Sequence, residues 1–112
     1  MNDEERIRRV GENEALFRVV NERIESLNAA FAAITETMDV VCECGSLECA
    51  ERIVLGLGEY ERVREDPTHF VLVPGHEMSG VESVIARGEG YVVVRKHEGV
   101  PAEVARETDP RG

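Results

Sequence analysis

All three cysteines of this 112-residue chain lie within one octapeptide, Cys42-Glu43-Cys44-Gly45-Ser46-Leu47-Glu48-Cys49. Residues two apart in a strand point to the same side, so Cys42 and Cys44 can present their sulfurs to a common point. Gly45 then admits a turn with positive φ, and Cys49 closes the knuckle as the chain doubles back. Three thiolates converging on one point describe a soft-metal site, and zinc is the metal that sulfur-rich tetrahedral sites take. A tetrahedron needs a fourth donor from outside the octapeptide. Such a donor would staple two distant parts of a small chain together.

Other readings of the cluster meet physical objections. An odd number of thiols speaks for metal over a disulfide framework. Inert cysteines belong in an apolar stretch, whereas Glu43, Glu48, Glu51 and Arg52 surround these. Reactive thiolates need positive surroundings, yet residues 38–68 set Arg52, Arg62 and Arg64 against eight acids. A bound cation is what would hold three thiolates deprotonated in that field.

The candidates for fourth ligand are His69, His76 and His97. His76 follows Pro74-Gly75 at the end of an apolar strand, where a tight turn can throw its ring toward the knuckle. The expected metal set is therefore Cys42, Cys44, Cys49 and His76, with a carboxylate from Glu77 or Glu43 as the fallback. The glutamates beside the cluster read as a solvated face, not as general bases.

Composition bounds the rest. With 42% hydrophobic and 32% charged residues the chain is globular, and at 4% aromatic its core is aliphatic. A net charge of −10 lacks the basic footprint of a nucleic-acid binder. No apolar run approaches the ~20 residues of a membrane span. The start, Met1-Asn2-Asp3-Glu4-Glu5, is acidic where a secretory signal would be basic. A cytoplasmic location is the expectation.

The expected fold class is α+β, a long N-terminal helix followed by a small zinc-stapled mixed sheet with two short helices. Residues 1–37 read as an amphipathic helix. Val10, Phe17, Ile24 and Phe31 recur seven apart, and Val20, Leu27 and Ile34 each follow three residues after the first row. That is an a/d seam, on a helix of about 45–50 Å. It predicts a homodimer through the exposed helix length, with Ala29, Ala30, Ala32 and Ala33 allowing close approach. Residues 38–97 read as the zinc-binding module. Its strands are expected at Asp39–Cys44, Glu51–Leu57, Phe70–Val73 and Tyr91–Lys96. Helices are expected over Glu59–Glu65, stopped by Pro67, and over 81–88, opened by a Ser79-Gly80-Val81-Glu82 capping box. Residues 98–112 read as a polar C-terminal tail that frays beyond Ala105.

The C-x-C-x4-C spacing is similar to the zinc knuckle that follows the catalytic domain of SET-type methyltransferases, over these eight residues alone. More widely the chain resembles an uncharacterised family of small acidic actinobacterial proteins. The resemblance rests on Val20-Asn21-Glu22-Arg23-Ile24, the CxCx4C cluster, Glu59-Tyr60-Glu61-Arg62-Val63-Arg64, the Pro74-Gly75-His76-Glu77 motif and Thr108-Asp109-Pro110-Arg111. It implies a bacterial cytosolic setting and no particular activity. The functional expectation is a non-enzymatic, zinc-stabilised protein-binding or regulatory module whose protein partner the sequence does not name. A zinc-thiolate redox sensor is the alternative, and a small zinc metalloenzyme using Glu43 or Glu77 beside an open site is the weaker one.

Overall fold

Helix α1 (Asp3–Ala29) turns a polar face inward, which sets how the rest is arranged. Among the described residues its buried positions are Gly11, Glu14, Ala15, Arg18 and Asn21, which share one helix face. The computed structural model describes residues 2–29 and 37–111. Beyond α1 come β1 (Thr37–Val41), β2 (Arg52–Gly56), α2 (Leu57–Arg64), β3 (His69–Leu72), β4 (Glu82–Gly88), β5 (Tyr91–Lys96) and α3 (Val100–Glu107). The class is α+β, as the sequence implied.

The expected a/d seam is not the buried face. Val10, Phe17 and Ile24 are half-buried, while Val20 and Leu27 are 39% and 67% exposed. The inner face can be polar because its side chains find partners there, although Arg18 Nε has no hydrogen-bond acceptor among the described residues. Arg18 donates to the carbonyls of Pro67 (2.6 Å) and Ala105 (2.8 Å) and stacks on Phe70, 4.5 Å from the ring centre. Asn21 both donates to the Val41 carbonyl (2.7 Å) and accepts from the Val41 N–H (2.8 Å), as an added strand would. Glu14 pairs with Lys96, whose ammonium also meets Glu82 at 2.7 Å, all three buried. Thr37, placed in the helix by its sequence, begins β1. Ala30, Phe31, Ala32, Ala33 and Ile34 lie outside the described residues.

The strands form two antiparallel sheets, β1-β2 and β3-β5-β4, in place of one mixed sheet. Alternation orients the first: Met38, Val40, Ile53 and Leu55 are buried, while Asp39, Arg52 and Val54 are exposed. Central strand β5 is buried from Tyr91 through Val94. Beyond β1 the chain reaches the second sheet, where Glu43 N–H donates to the Val71 carbonyl at 2.9 Å. One apolar core therefore underlies both sheets, with Tyr60, Phe70 and Leu72 among its members.

Two expectations fail here. Residues 81–88 are not a helix: β4 pairs with β5, with a register shift between Val84 and Ala86. Val81, Val84 and Ile85 suit a strand as well as a helix, and the open edge of β5 decides for the strand. Glu82 accepts from the Met78 N–H and from Lys96 and caps no helix. Nor are residues 98–112 a polar tail. Gly99, at φ 104°, turns the chain into α3, and Pro101 sits in its first turn. Pro101, Ala102, Val104 and Ala105 are buried, so the small apolar residues make a helix face against α1. A Cβ on Gly11 would lie 2.9 Å from Val104, which shows how closely the two helices approach.

Candidate metal centre

Strand alternation past β1 puts Cys42 and Cys44 on one side and Glu43 on the other. Cys42 keeps the hairpin pairing through its N–H to the Glu51 carbonyl (3.0 Å), and Cys49 N–H closes a turn onto Ser46 (3.2 Å). Gly45 serves differently from the expectation, since it is not among the glycines with positive φ. A Cβ there would come within 2.6 Å of Val10 on α1, so glycine lets the helix cross the knuckle.

Of the three histidines, His76 is the one that lies beside the three cysteines. Pro74 and Gly75, the latter at φ 94°, form a turn in which the His76 N–H meets the Val73 carbonyl at 3.0 Å. This turn delivers the His76 ring to the knuckle. Nδ1 lies 3.6 Å from both Cys42 Sγ and Cys49 Sγ. One ligand atom from each of Cys42, Cys44, Cys49 and His76 lies within 4.8 Å of all the others. A thiolate at about 2.3 Å and an imidazole nitrogen at about 2.05 Å from a tetrahedral ion stand about 3.6 Å apart. The donors thus fit a single ion.

Surrounding groups orient this set. Nε2 of His76 lies 2.8 Å from a carboxylate oxygen of Glu51. Its N–H directed there leaves Nδ1 as the lone pair facing the sulfurs, the carboxylate–histidine arrangement common at metal centres. Val73 N–H donates to Cys42 Sγ at 3.2 Å. Burial pushes the Cys42 and Cys44 thiols up, while backbone N–H groups of Val73, Cys44 and Ser46 pull in the opposite direction. A cation at the centre would supply the charge that burial withholds.

The other candidates fall away. His69 accepts from Arg95 Nε at 3.2 Å, and burial lowers its pKa. His97 Nε2 pairs with Ser83 Oγ at 2.8 Å. Glu77 accepts from the Gly75 N–H at 2.9 Å. Glu43, read as solvated and as a fallback ligand, is fully buried on the opposite face. Its carboxylate accepts from Asn21 Nδ2 (2.8 Å), the Val71 N–H (3.0 Å) and the Tyr60 hydroxyl (3.3 Å). Desolvation raises its pKa, against the lowering effect of Asn21, Val71, Arg64 and Arg18. Neither Glu43 nor Glu77 joins the cluster, so neither stands where a general base beside the ion would. Sequence reasoning missed Glu51 as the partner of His76. Its only sequence signal is proximity to Cys49, which it shares with Glu48.

Among the described residues no other group of His, Cys, Asp and Glu converges in this way. Fold and donor set together define a small α+β protein with a Cys3His cluster able to bind one metal ion. No family model, curated protein or solved structure matches the chain. No helix among the described residues is long and apolar enough to cross a membrane.

Proposed function

We propose that the chain is a non-enzymatic, zinc-stabilised module that binds another protein in a regulatory role. The observation that carries this reading is the closed donor set, with His76 Nδ1 equidistant from two of the sulfurs. Three thiolates and an imidazole suit zinc by softness and geometry, and four protein donors leave no position for substrate. Zinc held there would join the β1–β2 knuckle to the end of β3. A structural zinc site carries about 10–16 kcal/mol, against about 5–15 kcal/mol for a whole domain. Zinc would then decide whether residues 38–97 stay folded. The exposed apolar face of α1 is the surface this reading offers to a partner. Reduced thiols fit a cytoplasmic setting.

Metal content and unfolding on chelation test the proposal. The purified, reduced protein should carry one zinc per chain and lose its cooperative unfolding transition when a strong chelator removes it. A metal-free protein that unfolds with the same midpoint would refute it. Cys49, only half-buried, supports a redox sensor as a second reading. Hydrogen peroxide would take two electrons from two thiolates and, with two protons from solvent, give a disulfide and two waters, and the ion would leave. Zinc release at low peroxide dose would move the assignment to that sensor.

A further inference from the structure

The outward face of α1 carries Leu16, Val19, Val20 and Leu27, at 55%, 39%, 39% and 67% exposure. Glu12, Leu16, Val19 and Arg23 form one row along it, with spacings of four, three and four. Glu12 and Arg23 are exposed, and neither has an ion-pair partner among the described residues. The row is symmetric about a point between Phe17 and Arg18. Leu16 and Val19 stand 1.5 residues on either side of that point, and Glu12 and Arg23 stand 5.5 residues away, about 8 Å along the axis. Read in reverse, acid falls on base and leucine on valine.

We infer that this row is the contact between two copies of the chain, packed with their α1 helices antiparallel about a two-fold axis crossing between Phe17 and Arg18. The inference deepens the protein-binding reading above by naming the partner. In this register Leu16 of one copy meets Val19 of the other, twice, and two reciprocal Glu12–Arg23 pairs flank them. Val20 and Leu27 lie beside the same seam. A parallel pair in register would set Glu12 against Glu12 and Arg23 against Arg23, and a parallel pair shifted to match the charges would not close. The charges therefore select the antiparallel arrangement. The contact from Glu12 to Arg23 covers about 17 Å of helix, a small interface that gives a concentration-dependent dimer, not an obligate one. It uses a different row from the half-buried Val10, Phe17 and Ile24.

Charge exchange tests the register. Native mass spectrometry and sedimentation of the full chain should show dimer increasing with concentration toward 1 mM, on the order expected for a small interface. Glu12→Arg alone and Arg23→Glu alone should each weaken dimerisation about tenfold or more. Equal mixing of these two variants should restore it as a heterodimer, because each then meets its opposite at both contacts. The double variant should dimerise with itself. A wild type that stays monomeric, single variants that dimerise normally, or a mixture that stays monomeric would each overturn the inference. The same spectra report bound metal, so a metal-free dimer would refute the zinc reading and leave this one standing.

Discussion

Replacing Glu43 separates the two places a glutamate between two cysteines can occupy. Its carboxylate is wholly buried and accepts from Asn21, the Val71 N–H and the Tyr60 hydroxyl. In Glu43→Ala the Asn21 amide keeps the Val41 carbonyl, but the Val71 N–H and the Tyr60 hydroxyl lose the acceptor that side chain supplies. Two buried donors left unpaired cost about 1–3 kcal/mol each, and the emptied space adds to this. A total of about 3–5 kcal/mol is expected, a large part of a small domain's stability. Glu43→Gln retains the shape and one acceptor oxygen and should cost about 1–2 kcal/mol. Urea unfolding at pH 7 measures both, and competition with a chromophoric chelator measures metal affinity in each variant. Affinity corrected for folding should be unchanged, because the side chain points away from the sulfurs. An alanine variant within 1 kcal/mol of wild type, or a glutamine variant that loses metal, would refute the assignment; the ~1 kcal/mol threshold is the worth of one ordinary hydrogen bond.

Three further outcomes follow from the same structure. Burial raises Glu14 from 4.5 to about 8, where it faces Lys96 and Glu82. Between those values the folded state holds a proton that the unfolded chain releases, so this contribution is complete below about pH 4.5 and is lost as pH rises through about 8. Glu14→Gln should remove that slope, a difference of about 3–5 kcal/mol between pH 5 and 9 in urea titrations; a wild-type advantage that grows with pH would contradict it. Glu51→Ala frees the Nε2 side of His76 and should weaken metal binding about 10–100-fold, read by chelator competition, with unchanged affinity as the refuting result. Truncation after His97 removes buried Pro101 and Val104 and two acceptors of Arg18. It should cost more than about 4 kcal/mol, and a truncated chain with a wild-type thermal midpoint would refute the docking of α3.

Legibility in the sequence followed the range of the interactions. The knuckle and the delivery of His76 rest on local rules: two-residue alternation, a turn at Cys49 and a Pro-Gly turn before the histidine. Those rules act within a few residues, and the structure brings together the four side chains they selected. The strands β1, β2, β3 and β5 were readable for the same reason. Segment 81–88 was not, because valine and isoleucine at that spacing fit either element and the pairing edge of β5 decided between them. Residues 100–107 read as polar because their apolar members are small, and burial of alanine and proline depends on a neighbouring helix with a glycine at the crossing.

By itself the sequence determined the class of fold and the set of metal-type side chains, since each follows from residue type and short spacing. Only the tertiary structure decided which side of α1 faces inward and that Glu43 belongs to the interior. A charged or amide side chain is buried when donors and acceptors from remote segments meet it in low dielectric. Arg18, Asn21 and Glu43 find those partners at Ala105, Val41 and Val71, up to 87 residues away along the chain.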